Sequence, residues 1–191
     1  MLTSFRNGLE QVLEWVLIAL MVLLTTIVIV AVLFRMAGDS LSWYDEVAAV
    51  CLSWITYYGS ALAALKRRHI GFDSVLLALP VPARITALIV AEIVVLGFFV
   101  LMAWAGLRVL DVLEGDYLVS LTWVPVQLTQ SVIPIGAVLF IICELLSFPE
   151  YYRMTVAGRS LEHAEIEEEV ESEMKKAEAA RRQAEQNAGG H

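Results

Sequence analysis

The stretch LKRRHIGFD, residues 65–73, sets Lys66, Arg67, Arg68 and His69 side by side in a chain that is otherwise largely hydrocarbon. Four adjacent groups able to carry positive charge could bind an anionic substrate. They could equally mark where a span meets anionic lipid head groups, at about 1 kcal/mol per charge. A second chemical candidate is Glu92, which interrupts the apolar run from Ile85 to Leu107. An ionised carboxylate facing lipid costs at least about 2.5 kcal/mol, so Glu92 should face protein and have a partner. Counting depth along oppositely running spans brings Tyr57 and Tyr58 level with it. A tyrosine hydroxyl donating to Glu92 is the expected pairing, and burial favours the protonated acid. A proton or cation relay is the sharper alternative, but it requires a second titratable group at that depth.

Other reactive side chains are poorly placed for catalysis. Cys51 and Cys143 lie in apolar runs toward opposite faces of a membrane, too far apart for a dithiol, and read as buried structural thiols. His69 is interfacial, and His163 and His191 fall in the polar tail, so no histidine pair stands ready to ligate a haem inside a bilayer. The residues thus give no catalytic, cofactor-binding or metal site. The chain is expected to be neither an enzyme nor a binder of nucleic acid.

The elements that must carry these residues follow from composition. Hydrophobic residues make up 59% of the 191 positions, which places the chain in the membrane class. Four runs meet the length of about 20 apolar residues needed for a crossing. They are residues 12–34, 47–65, 85–107 and 125–146. The expected fold is an all-α integral membrane protein of four transmembrane helices with short interfacial helices. Residues 1–155 form the membrane domain, and residues 156–191 an acidic, helix-compatible tail. The formal charge of −8 is concentrated in that tail, where residues 162–185 hold nine acids and four bases.

Placing the N-terminus inside puts Arg6, Lys66, Arg67, Arg68, Arg84, Arg153 and Arg159 on the inner side and only Arg35 and Arg108 on the outer. That asymmetry predicts both termini in the cytoplasm. Lys66, Arg67 and Arg68 then read as a topology anchor, since an imported anion would meet them only after leaving the membrane. Trp43, Tyr44 and Trp123 mark the outer interface.

Local chemistry refines the spans. Ser42 with Asp45 has capping-box spacing, and Asp45 and Glu46 suit a helix N-terminus. Gly59 with Ala63, and Ser60 with Ala64, form two small-xxx-small pairs that allow close helix packing. In the fourth run Pro134 removes the hydrogen bond to the Gln130 carbonyl and Gly136 loosens the next turn, so a kink is expected. Asp73 can cap a short segment, SVLLAL, too brief to span, which would lie along the inner interface or against a partner. In the tail, Glu171 with Lys175 and Glu178 with Arg182 suit a solvated helix with a thin apolar stripe of Ile166, Val170, Met174 and Ala177.

The ordered set of W-x-D-E at Trp43–Glu46, a Gly-Ser-Ala-Leu-Ala-Ala helix end, RRHIGFD and a late IPIG resembles the small membrane subunit of tripartite ATP-independent periplasmic (TRAP) transporters, the DctQ or SiaQ type. The resemblance covers about residues 10 to 155. It implies an accessory scaffold subunit in the bacterial inner membrane, binding a large membrane subunit that works with a periplasmic binding protein. The imported substrate would be a C4-dicarboxylate, a sialic acid or a similar carboxylate. Na⁺ coupling would reside in the large subunit, with no cofactor here. Trp43, Glu46, Gly59, His69, Asp73, Pro134 and Gly136 would be family-motif positions with structural or docking roles. The tail has no counterpart in that pattern. A self-sufficient homo-oligomeric carrier or channel is the competing reading, for which the spans offer few polar residues beyond Glu92 and the outer half of the fourth.

Overall fold

A computed structural model describes residues 2–67, 79–157, 170 and 173–176. Its helices are α1 (Leu2–Met36), α2 (Tyr44–Lys66), α3 (Val81–Val112), α4 (Val126–Gln130) and α5 (Val132–Val156). Four stretches are long and apolar enough to cross a membrane: α1, α2, α3, and α4 with α5 taken together. No strand is found among the described residues, only an isolated bridge between Tyr117 and Pro125. Large apolar side chains such as Trp15 and Val22 on α1, and Ile93, Leu101 and Trp104 on α3, are more than half exposed. Surfaces of that kind, continuous over several turns, belong in hydrocarbon rather than water.

Helices run past the apolar runs because backbone pairing does not stop where hydrocarbon does. α1 takes in the polar N-terminal turns and ends in a Schellman cap. Gly38 N–H donates to Arg35 at 3.2 Å and Asp39 N–H to Phe34 at 3.1 Å. That geometry needs the left-handed φ of 89° that Gly38 supplies. α3 starts before its apolar run, with Pro82 in the first turn, where a missing N–H costs nothing.

The hydrogen-bond ladder of the fourth span is interrupted at Ser131, between α4 and α5 and three residues before Pro134, while Ser131 itself keeps right-handed helical dihedrals. The break falls there, not at the Pro134–Gly136 segment itself, because the proline ring opposes helical pairing to the Gln130 carbonyl, one turn earlier. Pro134 thereby sits in the first turn of α5. Trp54 Nε1 on α2 donates to the Thr129 carbonyl at 3.3 Å. Gln127 Nε2 donates to the Leu110 carbonyl at 3.0 Å, satisfying an acceptor in the last turn of α3.

The chain forms two compact units, Met1–Ile70 with Ile89–Pro149, and Gly71–Leu88 with Glu150–His191. In the first, Leu13, Ala61, Ala64, Leu65, Phe140 and Cys143 make the core. Phe99 and Phe140 stack across α3 and α5 with centroids 3.6 Å apart. Two glycines permit the closest approaches. A Cβ on Gly106 would stand 2.9 Å from Pro134 Cδ, and one on Gly136 would stand 2.7 Å from Tyr57 Cβ. Gly59 is different, since a Cβ there would meet only Leu17 Cδ2 at 4.0 Å. The small residues of α2 that pack tightly within the chain are Ala61 and Ala64, both fully buried.

In the second unit, Arg84 is buried. It donates to the Thr155 carbonyl at 3.2 Å and the Leu79 carbonyl at 3.1 Å, favourably placed against the C-terminal end of α5. Glu173 and Lys176 pair at 2.8 Å on the exposed tail. The tail pairings expected through Glu171, Glu178 and Arg182 lie outside the described residues, as do Arg68, His69, Asp73 and the SVLLAL segment.

The capping box expected at Ser42 is not formed. α2 begins at Tyr44 with Trp43 at the cap position and no side-chain cap bond. Glu46 reaches across to the loop after α3, where its Oε1 accepts from Val119 N–H at 3.1 Å and its Oε2 from Ser120 N–H at 2.9 Å. The Ser42 carbonyl accepts from Ser120 Oγ at 3.0 Å. Two strong acceptor bonds to otherwise unpaired amides outcompete a single cap. Leu118 N–H to the Val124 carbonyl and Val126 N–H to the Asp116 carbonyl close this loop into a hairpin. Glu46→Ala is expected to release it, at a cost of about 1–3 kcal/mol. Amide hydrogen exchange at Val119 and Ser120 should rise sharply while the α2–α5 core stays protected.

Candidate functional site: a buried charge cluster

Arg67 follows the last residue of α2 and has φ 51° and ψ 29°, the left-handed region. Its backbone N–H caps the helix on the Ala63 and Ala64 carbonyls. Glycine ordinarily fills this position, since a Cβ costs roughly 1–2 kcal/mol in that conformation. The side chain accounts for an arginine here. It turns into the protein, where only 11% of it is exposed, and gathers three helices at one point.

Arg67 Nη1 pairs with Glu144 Oε1 on α5 at 2.6 Å. The same guanidinium donates to both oxygens of Glu92 on α3, each at 3.5 Å. Nε donates to Ser147 Oγ at 2.9 Å, and Nη2 to the Glu144 carbonyl at 3.3 Å. Ser147 in turn donates toward the Ala64 and Glu144 carbonyls, each at 3.0 Å. The Phe148 ring lies 6.0 Å from the guanidinium carbon. Glu144 is 4% exposed and Ser147 2%. At such burial an ion pair persists only with hydrogen bonds around it, and removing one partner is costly.

The expected Tyr57 or Tyr58 hydroxyl bond to Glu92 is therefore replaced by Arg67. Glu92 lies in the first half of α3, eleven residues after Val81, where it meets Arg67 just past the end of α2. Tyr57 instead lends its ring carbons to the Gly136 contact, and Tyr58 packs edge-on against Trp54 with centroids 5.5 Å apart. Glu144 was not singled out by sequence reasoning. Its signal is the one that identified Glu92, an acid inside an apolar run.

Lys66, next to Arg67, has its own partners on α1. It pairs with Glu10 at 3.1 Å and with Glu14 at 2.5 Å. So two of the three cations read as lipid-facing anchors meet carboxylates of their own chain. Lys66, Glu10 and Glu14 are each 29–40% exposed at the side chain, so this group is worth far less than the Arg67 cluster, about 0–1 kcal/mol per pair. Cys51 and Cys143 are free and buried. Among the described residues no three His, Cys, Asp or Glu side chains gather as a metal site. Trp43 is partly buried and Asp45 exposed at the α2 start.

Four apolar spans, lipid-suited outer faces and an interior whose charges are joined helix to helix define a multi-pass helical membrane protein. Residues 21–151 match the family described as tripartite ATP-independent periplasmic transporters, DctQ component. The chain belongs to that family, a transporter component. A Haemophilus influenzae protein, provisionally named a TRAP transporter small permease protein, is 28% identical over 104 residues, covering 54% of this chain and 63% of that relative. The chain thus aligns with less than two thirds of its relative's length.

Proposed function

We propose that this chain is the scaffold-type small permease subunit of a TRAP secondary transporter that imports an organic acid, such as a C4-dicarboxylate or a sialic acid. In this reading it sits in the bacterial inner membrane with both termini in the cytoplasm. It works beside a large membrane subunit that carries substrate and Na⁺, and a periplasmic binding protein that delivers the substrate. The observation that carries the reading, beyond family membership, is where the interior charges go. Arg67, Glu92 and Glu144 join α2, α3 and α5 to one another. Charges spent on fixing helices suit a rigid platform for a moving partner better than a translocation path.

The test is assembly. Tagged chain extracted in mild detergent, with its gene neighbours co-expressed, should bring down a polytopic co-encoded subunit in stoichiometric amount. Recovery of the tagged chain alone, with that subunit present in the same membranes, would count against the proposal.

A further inference from the structure

Among the described residues the Arg67 cluster does not balance its charge. One guanidinium faces two carboxylates, Glu92 and Glu144, and all three side chains are nearly buried. Glu144 Oε2 is enclosed by protein and accepts no hydrogen bond, and both carboxylates crowd one nitrogen, Arg67 Nη1, at 2.6 Å from Glu144 Oε1 and 3.5 Å from Glu92 Oε2. Two ionised carboxylates cannot occupy that arrangement without strong repulsion, because both would only accept. A single proton resolves every feature together. It removes the repulsion between Glu92 and Glu144, gives the orphaned oxygen a role and brings the cluster to neutrality with Arg67.

We infer that Glu92 and Glu144 form a proton-binding site, holding one proton between them at neutral pH beneath the Arg67 guanidinium. Among described residues, the charged group held against both carboxylates is Arg67, just past α2, and the same guanidinium donates to the Ser147 hydroxyl on α5. Lys66 is committed to Glu10 and Glu14 of α1 and is not the missing cation. The inference does not depend on the transporter reading, since it concerns charge balance within one chain.

The consequence for stability has a definite sign. At neutral pH the unfolded chain leaves both carboxyls ionised, so the folded state binds more protons. Stability therefore falls as pH rises from the ordinary carboxylate range toward the point where the shared proton leaves. Glu92→Gln and Glu144→Gln each leave one carboxylate opposite one guanidinium and should flatten that dependence.

Infrared difference spectroscopy of the purified full chain in lipid nanodiscs reads the proton directly. Wild type at neutral pH should show the carbonyl band of a protonated carboxylic acid, shifting in heavy water, and either glutamine variant should abolish it. Where a glutamine variant does not accumulate, Glu92→Asp and Glu144→Asp keep an acid in place, and both should displace the band. A wild type without the band, or a band that survives either glutamine variant or is unmoved by either aspartate variant, overturns the inference.

Discussion

Arg67→Ala should be the most damaging single substitution in the membrane domain. It leaves Glu92 and Glu144 buried without their cation, a loss of about 3–5 kcal/mol by the usual cost of breaking a buried pair. It also removes one donor each from the Ser147 hydroxyl and the Glu144 carbonyl. The backbone offers a way to separate these terms. Because Arg67 holds a left-handed φ of 51°, Arg67→Gly removes the same charge while relieving the strain, and should be less destabilised than Arg67→Ala by about 1 kcal/mol. Equilibrium unfolding in mixed micelles would rank the three proteins. Equal loss for alanine and glycine would mean that the strained turn contributes nothing. Near-wild-type stability of both would mean that the cluster is not structural.

Substitution of Gly136 is the second large effect. An added Cβ would lie 2.7 Å from Tyr57 Cβ and 2.9 Å from its Cδ1. The nearest of these atoms is attached directly to the α2 backbone and cannot swing aside, so the helices must separate. Gly136→Ala should cost about 1–3 kcal/mol, as overpacking does. Gly106→Ala should behave alike, because Pro134 Cδ at 2.9 Å and Pro134 N at 3.1 Å are equally immobile. Gly97 has nothing within 4 Å of an added Cβ, and Gly59 only Leu17 Cδ2 at 4.0 Å. Alanine at either should be neutral or slightly stabilising through helix propensity. Thermal unfolding of the four variants in one detergent checks the contrast, and a large loss at Gly97 with none at Gly136 would show that the α2–α5 contact is misassigned. If Gly59→Ala leaves the isolated chain intact but weakens co-purification with the proposed large subunit, its small surface serves that partner.

The spans were legible because hydrocarbon length is a strong constraint, and each apolar run lies within the helical segment assigned to it except for Pro125, which caps the fourth. Helix ends were less legible. Capping turns such as Arg35 to Asp39 are set by backbone geometry, and apolar counting does not see them. The break in the fourth span was visible through Pro134, but its position at Ser131 reflects a ring clash one turn away. Glu92 was recognised as an acid needing a partner, and its real partner was hidden for two reasons. Arg67 sat in a run of cations whose lipid explanation was sufficient by itself, and Glu144 sat unremarked in ICELL. Counting from the observed helix ends shows the match, with Glu92 eleven residues after Val81 and Glu144 twelve before Val156. Long-range pairing of this kind is decided by how helices stand side by side, which no local pattern encodes.

Glu46 gives the same lesson at the opposite end of α2. Its place in a capping-box context suggested a local bond, but the loop after α3 brought two unpaired amides within reach. The motif residues Trp43–Glu46 thus owe their position partly to a hairpin more than seventy residues away.

The claim that matters most is that this chain fixes helices and does not itself move substrate. Uptake into proteoliposomes tests it most directly, comparing this chain alone with the same chain reconstituted beside the large subunit and binding protein proposed for it, under an inward Na⁺ gradient. The account predicts no organic-acid uptake by the chain alone and gradient-driven uptake by the full set. Saturable uptake by the chain alone, abolished by Glu92→Gln or Glu144→Gln, would contradict it.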